Sequence, residues 1–358
     1  MKRHFRLLIV LALCLTTLIA CSARPESFAT PPFDSPPPVS SEPFGKGDLI
    51  LFTSDRAGKT AYFVMKPDGS LPQMLSFPDA PAIVLGLTWV PVLKHFVFVG
   101  KNGGDQDIYL ANWERMEYKN LTNTPDLAED APVVSPDGRW VAMVCTWSDP
   151  DICVIGSDGS DFRRLTGPPA WDADPVWSPD GQKLVYVSNA QGISDLYLVD
   201  IAGSEPTKLT TNKGRHSSPA WSPDGALIIY QADTDGSWDI WAISPSGGEP
   251  INLTQSPAAD QSPKWSPDGK WIAFRSDRDG NPEIYVMTAD GQESRNVSQS
   301  PDGTEAVFAW SPDSQQLFFV SDVEGNLDIF RVNVDGSGKV NLTQNPADDG
   351  APIWIQVP

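Results

Sequence analysis

Two sets of residues able to do acid–base or ligand chemistry recur along this 358-residue chain at near-constant spacing. The first runs Glu129, Asp172, His216, Asp260, Glu305 and Asp349, and the second runs Asp107, Asp151, Asp195, Asp239, Glu283 and Asp328. Carboxylates converging from several segments suit a hard divalent cation such as Ca²⁺ or Mg²⁺ better than a soft metal. They also suit a basic peptide or basic side chain, and paired carboxylates can do the acid–base work of a glycosidase. The competing interpretation is architectural: an acid that closes a loop by accepting backbone N–H bonds recurs because the unit around it recurs. His216 is the one non-acid of the first set. It either diversifies a ligand site or is simply a polar residue there, and Arg215 beside it is placed to pair with a neighbouring acid.

Little other chemistry is written in the chain. It has no G-x-S-x-G elbow, no H-E-x-x-H, no C-x-x-C pair and no phosphate-binding P-loop. Beyond residue 20 the histidines are His95 and His216 alone, and His95 sits in a strand-like run. No residue is therefore expected to be catalytic.

The two sets are positioned by a repeat. Pro175–Gly181, Pro219–Gly225 and Pro263–Gly269 read PVWSPDG, PAWSPDG and PKWSPDG, with weaker copies at Pro132–Gly138 and Phe308–Ser314. The aligned positions are Val134, Trp177, Trp221, Trp265 and Trp310, spaced 43 to 45 residues apart, and the same step reaches Trp89 backward and Trp354 forward. A fixed period of this length signals a repeat architecture. Within one unit, Pro-Lys-Trp is a short extended start. Ser266-Pro267-Asp268-Gly269 is a turn in which Pro sets φ, Asp suits the next position and Gly accepts the left-handed conformation. Trp271–Ser276, Glu283–Met287 and Ser294–Ser298 read as three further strands. No segment shows a helical period.

Four-stranded units of this length match the blades of a β-propeller, each buried on both faces by its neighbours. Six full units are present. Before them, Asp48–Ser76 holds three strands without a first one, and after them Ile353–Val357 is a first strand with nothing following. The remnants complete each other, so the predicted fold is all-β: a seven-bladed propeller over residues 47–358, closed by the C-terminal strand joining the N-terminal blade. The first strand runs one way and the second returns. Both acidic sets therefore fall toward the face opposite the S-P-D-G turns, the first set around the mouth of the central channel and the second farther from the axis.

The W-S-P-D-G turn, the D-I-Y type strands (Asp239-Ile240-Trp241, Glu283-Ile284-Tyr285) and the L-T strand endings (Leu209-Thr210, Leu253-Thr254, Leu342-Thr343) resemble the repeats of TolB-like propellers. The likeness covers about residues 47–358. TolB proteins themselves carry an extra N-terminal α/β domain and six blades, so this chain looks like a TolB-like propeller distinct from TolB proper.

Residues 1–20 read as a secretory signal, with a basic start (Lys2, Arg3, His4, Arg6) and the apolar run Leu7–Ile19. Leu18-Ile19-Ala20-Cys21 resembles a bacterial lipobox, which makes Cys21 the expected lipidation site and membrane anchor. Residues 21–46 then form a tether, with seven prolines between Ser22 and Lys46. The formal charge of −20 falls near −23 once Lys2, Arg3 and Arg6 leave with the signal. Such a surface repels nucleic acid and favours cations or basic partners. Cys145 and Cys153 lie on the second and third strands of one blade. Register borrowed from other blades sets Cys145 opposite Asp151 and Cys153 opposite Met143, a diagonal pair, which weighs against a disulfide even though an oxidising compartment permits one.

These observations predict a monomeric, non-enzymatic lipoprotein of the cell envelope, facing the periplasm or the cell exterior. Its propeller is expected to bind a protein or peptide partner at the mouth formed by Glu129, Asp172, His216, Asp260, Glu305 and Asp349, with Ca²⁺ or Mg²⁺ as the one cofactor the acids would suit. The alternative is an envelope hydrolase or lyase acting on a polysaccharide or peptide through the same carboxylates.

Overall fold

The computed structural model describes residues 47–77, 82–101, 104–124, 126–234 and 236–357. The signal, Cys21 and the tether, which the sequence assigns to residues 1–46, lie outside them.

Seven antiparallel sheets of four strands each make up these residues. The innermost strands are Ala82–Val90, Ala128–Val134, Asp172–Trp177, Arg215–Trp221, Asp260–Trp265, Glu305–Trp310 and Asp349–Val357. We number the blades 1 to 7 in that order. In blade 7 the C-terminal strand pairs with Gly47–Ser54, and the N-terminal strands complete the sheet. The ring is closed as the two remnants predict. Closure leaves no blade with a bare inner edge, which is the physical reason a C-terminal strand returns to the N-terminus.

The turn chemistry is as the sequence implies. Gly269 N–H donates to Ser266 O at 2.9 Å, and Gly269 sits at φ 71°. Asp268 Oδ1 accepts from Ser266 Oγ (2.7 Å) and Lys270 N (3.2 Å), while Ser266 Oγ accepts from Trp271 N (3.0 Å). The repeated tryptophan joins blades. The indole N–H of Trp177, Trp221, Trp310 and Trp89 donates to Val133, Val176, Lys264 and Gln356 O respectively, each on the innermost strand of the preceding blade. In these four the indole packs between sheets while its N–H finds an acceptor, which is what a buried tryptophan requires, whereas Trp265 Nε1 has no partner among the described residues.

Apolar side chains of both faces of the middle strands form clusters between successive blades, such as Ala273, Val286, Phe308, Trp310, Leu317 and Phe330 between blades 5 and 6. In blade 2 the register is as read, Cys145 opposite Asp151 and Cys153 opposite Met143. The diagonal pair is nevertheless bridged by a disulfide, with the Cα atoms 6.0 Å apart. That separation lies inside the range disulfides span, so the strand twist brings a diagonal pair within reach.

Candidate functional site

Strand direction places the first acidic set at the start of the innermost strands and the second at the start of the third strands. The register puts them on one rung: Asp172 pairs with Ser188, which pairs with Asp195, and Asp260 pairs with Ser276, which pairs with Glu283. The side chains do not line an open mouth. Glu129, Asp172, His216, Asp260, Glu305 and Asp349 are all buried, as are Asp151, Asp195, Asp239, Glu283 and Asp328, and Asp107 is half-buried. They turn into the junctions between blades, where Glu129, Asp172, His216, Glu305 and Asp349 sit beside Asp107, Asp151, Asp195, Glu283 and Asp328 of the preceding blade.

The second set acts as a loop clamp. Asp239 accepts from Thr254 Oγ1 (2.9 Å), Ser256 N (3.0 Å) and Asn252 Nδ2 (2.9 Å). Asp328 accepts from Thr343 Oγ1 (2.8 Å) and Asn341 Nδ2 (3.0 Å). The Thr of four L-T endings, Thr122, Thr210, Thr254 and Thr343, donates to the second-set acid of its blade, whereas in blade 2 Asp151 is held by Arg164 instead.

The first set is held differently at each junction. Arg278 Nη2 binds both oxygens of Asp260 at 3.0 and 2.9 Å, and Arg56 Nη2 binds both oxygens of Asp349 at 2.9 Å. The same two guanidiniums donate from Nε to Ser276 and Ser54. Sequence reading missed these clamps, although the signal was present as Ser-Asp-Arg at both Ser54–Arg56 and Ser276–Arg278. Glu129 has only hydroxyl donors, Thr122 and Thr124, and Glu305 has Ser321 Oγ at 2.8 Å. Burial pushes both of these carboxyls up to about 7, aided by Asp107 at Glu129 and Glu283 at Glu305. Burial likewise raises Asp172, whose Oδ1 has no partner among the described residues, and Asp260, where desolvation outweighs the arginine. His216 contacts Asp195 Oδ1 through Nδ1 at 3.2 Å, and its ring lies edge-on to Tyr230. Burial depresses its pKa in spite of that carboxylate, and its buried Nε2 has no partner among the described residues.

Among the described residues, no three of His, Cys, Asp and Glu are grouped so as to hold a metal ion. An open cleft of about 270 Å³ lies on the opposite, S-P-D-G face between blades 1 and 2, lined by Thr88–Val92 and Val134–Pro136, none of them titratable. Toward the axis, every innermost strand carries a bulge two residues after the first-set position. Gly86, Ala131, Asp174, Ser218, Ser262, Val307 and Ala351 all have positive φ there, and the register shifts at the same places. A bulge re-aims side chains locally. Six of the seven are not glycine, and such residues occupy that region at a cost of roughly 1–2 kcal/mol each.

Residues 79–232 match the family model described as the TolB beta propeller domain, and residues 235–353 match that of the Tricorn protease N-terminal beta propeller domain. An uncharacterised protein of Agrobacterium fabrum is 30% identical over 139 residues, covering 38% of this chain and 46% of that protein, so the likeness spans less than half of that relative. Among solved structures, a protein assigned as TolB in Agrobacterium tumefaciens is 25% identical with a TM-score of 0.52, covering 66% of this chain and 87% of that one. Oligogalacturonate lyase of Vibrio parahaemolyticus is 15% identical with a TM-score of 0.65, covering 80% and 86%. A puromycin-hydrolysing peptidase of Mycobacterium tuberculosis is 18% identical with a TM-score of 0.66, covering 84% and 52%. The last two are likenesses of fold. With its two parts matched by the TolB and Tricorn propeller models and its seven four-stranded blades, the chain is a β-propeller whose repeats are similar to those of TolB-like propellers.

Proposed function

We propose that the chain is a non-enzymatic lipoprotein of the cell envelope that binds a protein or peptide partner on the face opposite the S-P-D-G turns. One observation carries this reading: the residues best suited to acid–base chemistry are buried in blade junctions and engaged by neighbours, while the loops beside them present large apolar side chains to water. Trp147 and Ile193 are 47% and 46% exposed, on the second-to-third loops of adjacent blades 2 and 3. Arg164 stacks over Trp147 and is itself held by Asp151. Exposed tryptophan beside arginine is the composition of interface hot spots. The lipobox-like Cys21 and the tether support an anchor that would hold this face near other envelope proteins. The alternative of an envelope hydrolase or lyase needs substrate to reach carboxyls such as Glu129 and Glu305, which have no exposed surface.

The test is capture from detergent-solubilised envelope of the native host, using the full chain. Capture lost in Trp147→Ala with Ile193→Ser, yet retained in Val92→Ser on the opposite face, is the expected result. Capture indifferent to the loop pair, or turnover of envelope glycan or peptide by the purified chain, would contradict the reading.

A further inference from the structure

Six of the seven innermost strands carry a tryptophan at the aligned position: Trp89, Trp177, Trp221, Trp265, Trp310 and Trp354. Blade 2 carries Val134 there. Trp177, Trp221 and Trp310 reach back to the preceding blade, and each donates to the carbonyl just before that blade's own aligned position: Val133, Val176 and Lys264. By the same rule an indole at position 134 would lie between blades 1 and 2 and meet Thr88 O. The cleft of about 270 Å³ opens at that place, walled by Thr88–Val92 and Val134–Pro136. It is the volume that an indole takes up at the other junctions.

The walls call for an apolar occupant. None of the lining residues is titratable, and the two hydroxyls are already used. Ser135 Oγ donates to Asp137 Oδ1 at 2.6 Å and accepts from Trp140 N at 3.0 Å, and Thr88 Oγ1 donates to Gly86 O at 3.3 Å. Val92 is 55% exposed at the cleft, although a Cβ on Gly138 of blade 2 would lie only 2.7 Å from its Cγ1. Apolar surface left open to water in a slot of this shape gains most from a flat ring.

The chain's own N-terminal segment arrives beside this cleft. Gly47 opens the second strand of blade 7 on the S-P-D-G face, paired with Val357. Gln356 O, one residue from Val357, accepts from Nε1 of Trp89, a residue of the cleft wall, at 3.1 Å. Neighbouring turns touch on this face. A Cβ on Gly181, Gly225 or Gly269 would lie 3.7, 3.7 or 3.6 Å from the proline Cδ of the turn before it. Gly47 therefore stands about one turn's width from the cleft, across Pro91–Lys94. Phe44 precedes Gly47 by three residues, a reach of roughly 10 Å when extended. Phe28 and Phe33 lie farther back, and no tryptophan precedes Trp89.

We propose that the cleft between blades 1 and 2 is the docking site of the chain's own segment Pro43–Lys46, with the Phe44 ring in the place that tryptophan takes at the other junctions. An extended segment entered through a proline sits in an apolar groove without needing hydrogen bonds from its walls. Docking there pins the tether to the S-P-D-G face and leaves the loop face clear of it. The site does not rest on partner binding at the loop face.

The experiment is NMR on the full chain with valine methyls and phenylalanine rings labelled. The expected result is NOEs from the Phe44 ring to the Val92 and Val134 methyls, and movement of those methyl resonances in Phe44→Ser. A mixture of methyl-labelled and ring-labelled chains should give no such NOEs, because the contact is made within one chain. Val134→Trp supplies a ring from blade 2 and should release Phe44. Chymotrypsin cleavage after Phe44 should then rise about tenfold, with cleavage after Phe28 and Phe33 unchanged. The NOE arm on the unaltered chain needs no variant to fold. Absence of the Phe44 NOEs, NOEs from Phe28 or Phe33 in their place, or NOEs only between chains, as from a second copy, would overturn the proposal.

Discussion

Four aspartates of the S-P-D-G turns and four acids of the blade junctions are the same chemical group carried around the same ring, and their surroundings shift them in opposite directions. Asp137, Asp180, Asp224 and Asp313 are held below the usual carboxylate range by a serine hydroxyl and a backbone N–H, with water close by. Glu129, Asp172, Asp260 and Glu305 also accept hydrogen bonds, and are nonetheless raised, because burial is the larger influence. A hydrogen bond to a carboxylate lowers its pKa only where desolvation does not exceed it. The acidic ring is therefore no single electrostatic feature. One rim is ionised and solvated, and the other is a set of buried carboxyls, of which Glu129 and Glu305 are pushed up to about 7.

The largest effect expected from this contrast follows from removing a cation that a junction acid needs. Arg278→Met leaves Asp260 buried without its bidentate partner, and should destabilise by about 3–5 kcal/mol in urea unfolding at neutral pH. The same change at Arg139, which faces the exposed Asp137 at 3.6 Å, should cost within about 0.5 kcal/mol. A similar loss from both would erase the distinction.

The next effect is pH dependence. Folding raises Glu129 and Glu305 from 4.5 to about 7, so the stabilisation from each is complete below pH 4.5 and is lost as pH rises through about 7. For a shift of that size the loss is at most about 3 kcal/mol per group. Glu305→Gln should flatten the fall in stability between pH 4.5 and about 7. His216 works in the other direction: burial depresses its pKa below 6.5, so its contribution is complete above 6.5 and is lost as pH falls through the folded value. A His216→Gln chain should lose part of the fall in stability that appears as pH drops below 6.5.

The smallest effect belongs to the turns. Desolvation is the largest single influence on Asp268 and raises it, but its Ser266 hydroxyl, the Lys270 backbone N–H and the Lys270 side chain together lower it from 3.8 to about 2. Its stabilisation is present above 3.8 and is lost as pH falls through about 2. Solvent screening should keep Asp268→Asn within about 1 kcal/mol.

The fold was legible because its signals are local and recur. Ser266–Gly269 names its own turn, and the missing first strand before Asp48 together with the unpaired strand at the C-terminus dictate closure. The strand positions of both acidic sets followed from strand direction alone. Which way their side chains turn did not, because burial at a junction depends on the neighbouring blade. Ser54-Asp55-Arg56 looks like an ordinary loop until Asp349, 293 residues later, is seen to sit under Arg56. The bridge between Cys145 and Cys153 also depends on three-dimensional twist, which a register table omits.

The contrast between the two rims is tested most directly by carbon-detected NMR of the side-chain carboxyls across a pH series on the full chain, following Glu305 and Asp268 together. The account predicts a Glu305 midpoint near 7 and an Asp268 midpoint near 2. A Glu305 midpoint at the ordinary 4.5 would contradict it, because a junction acid that ionises as if in water is not sealed between blades.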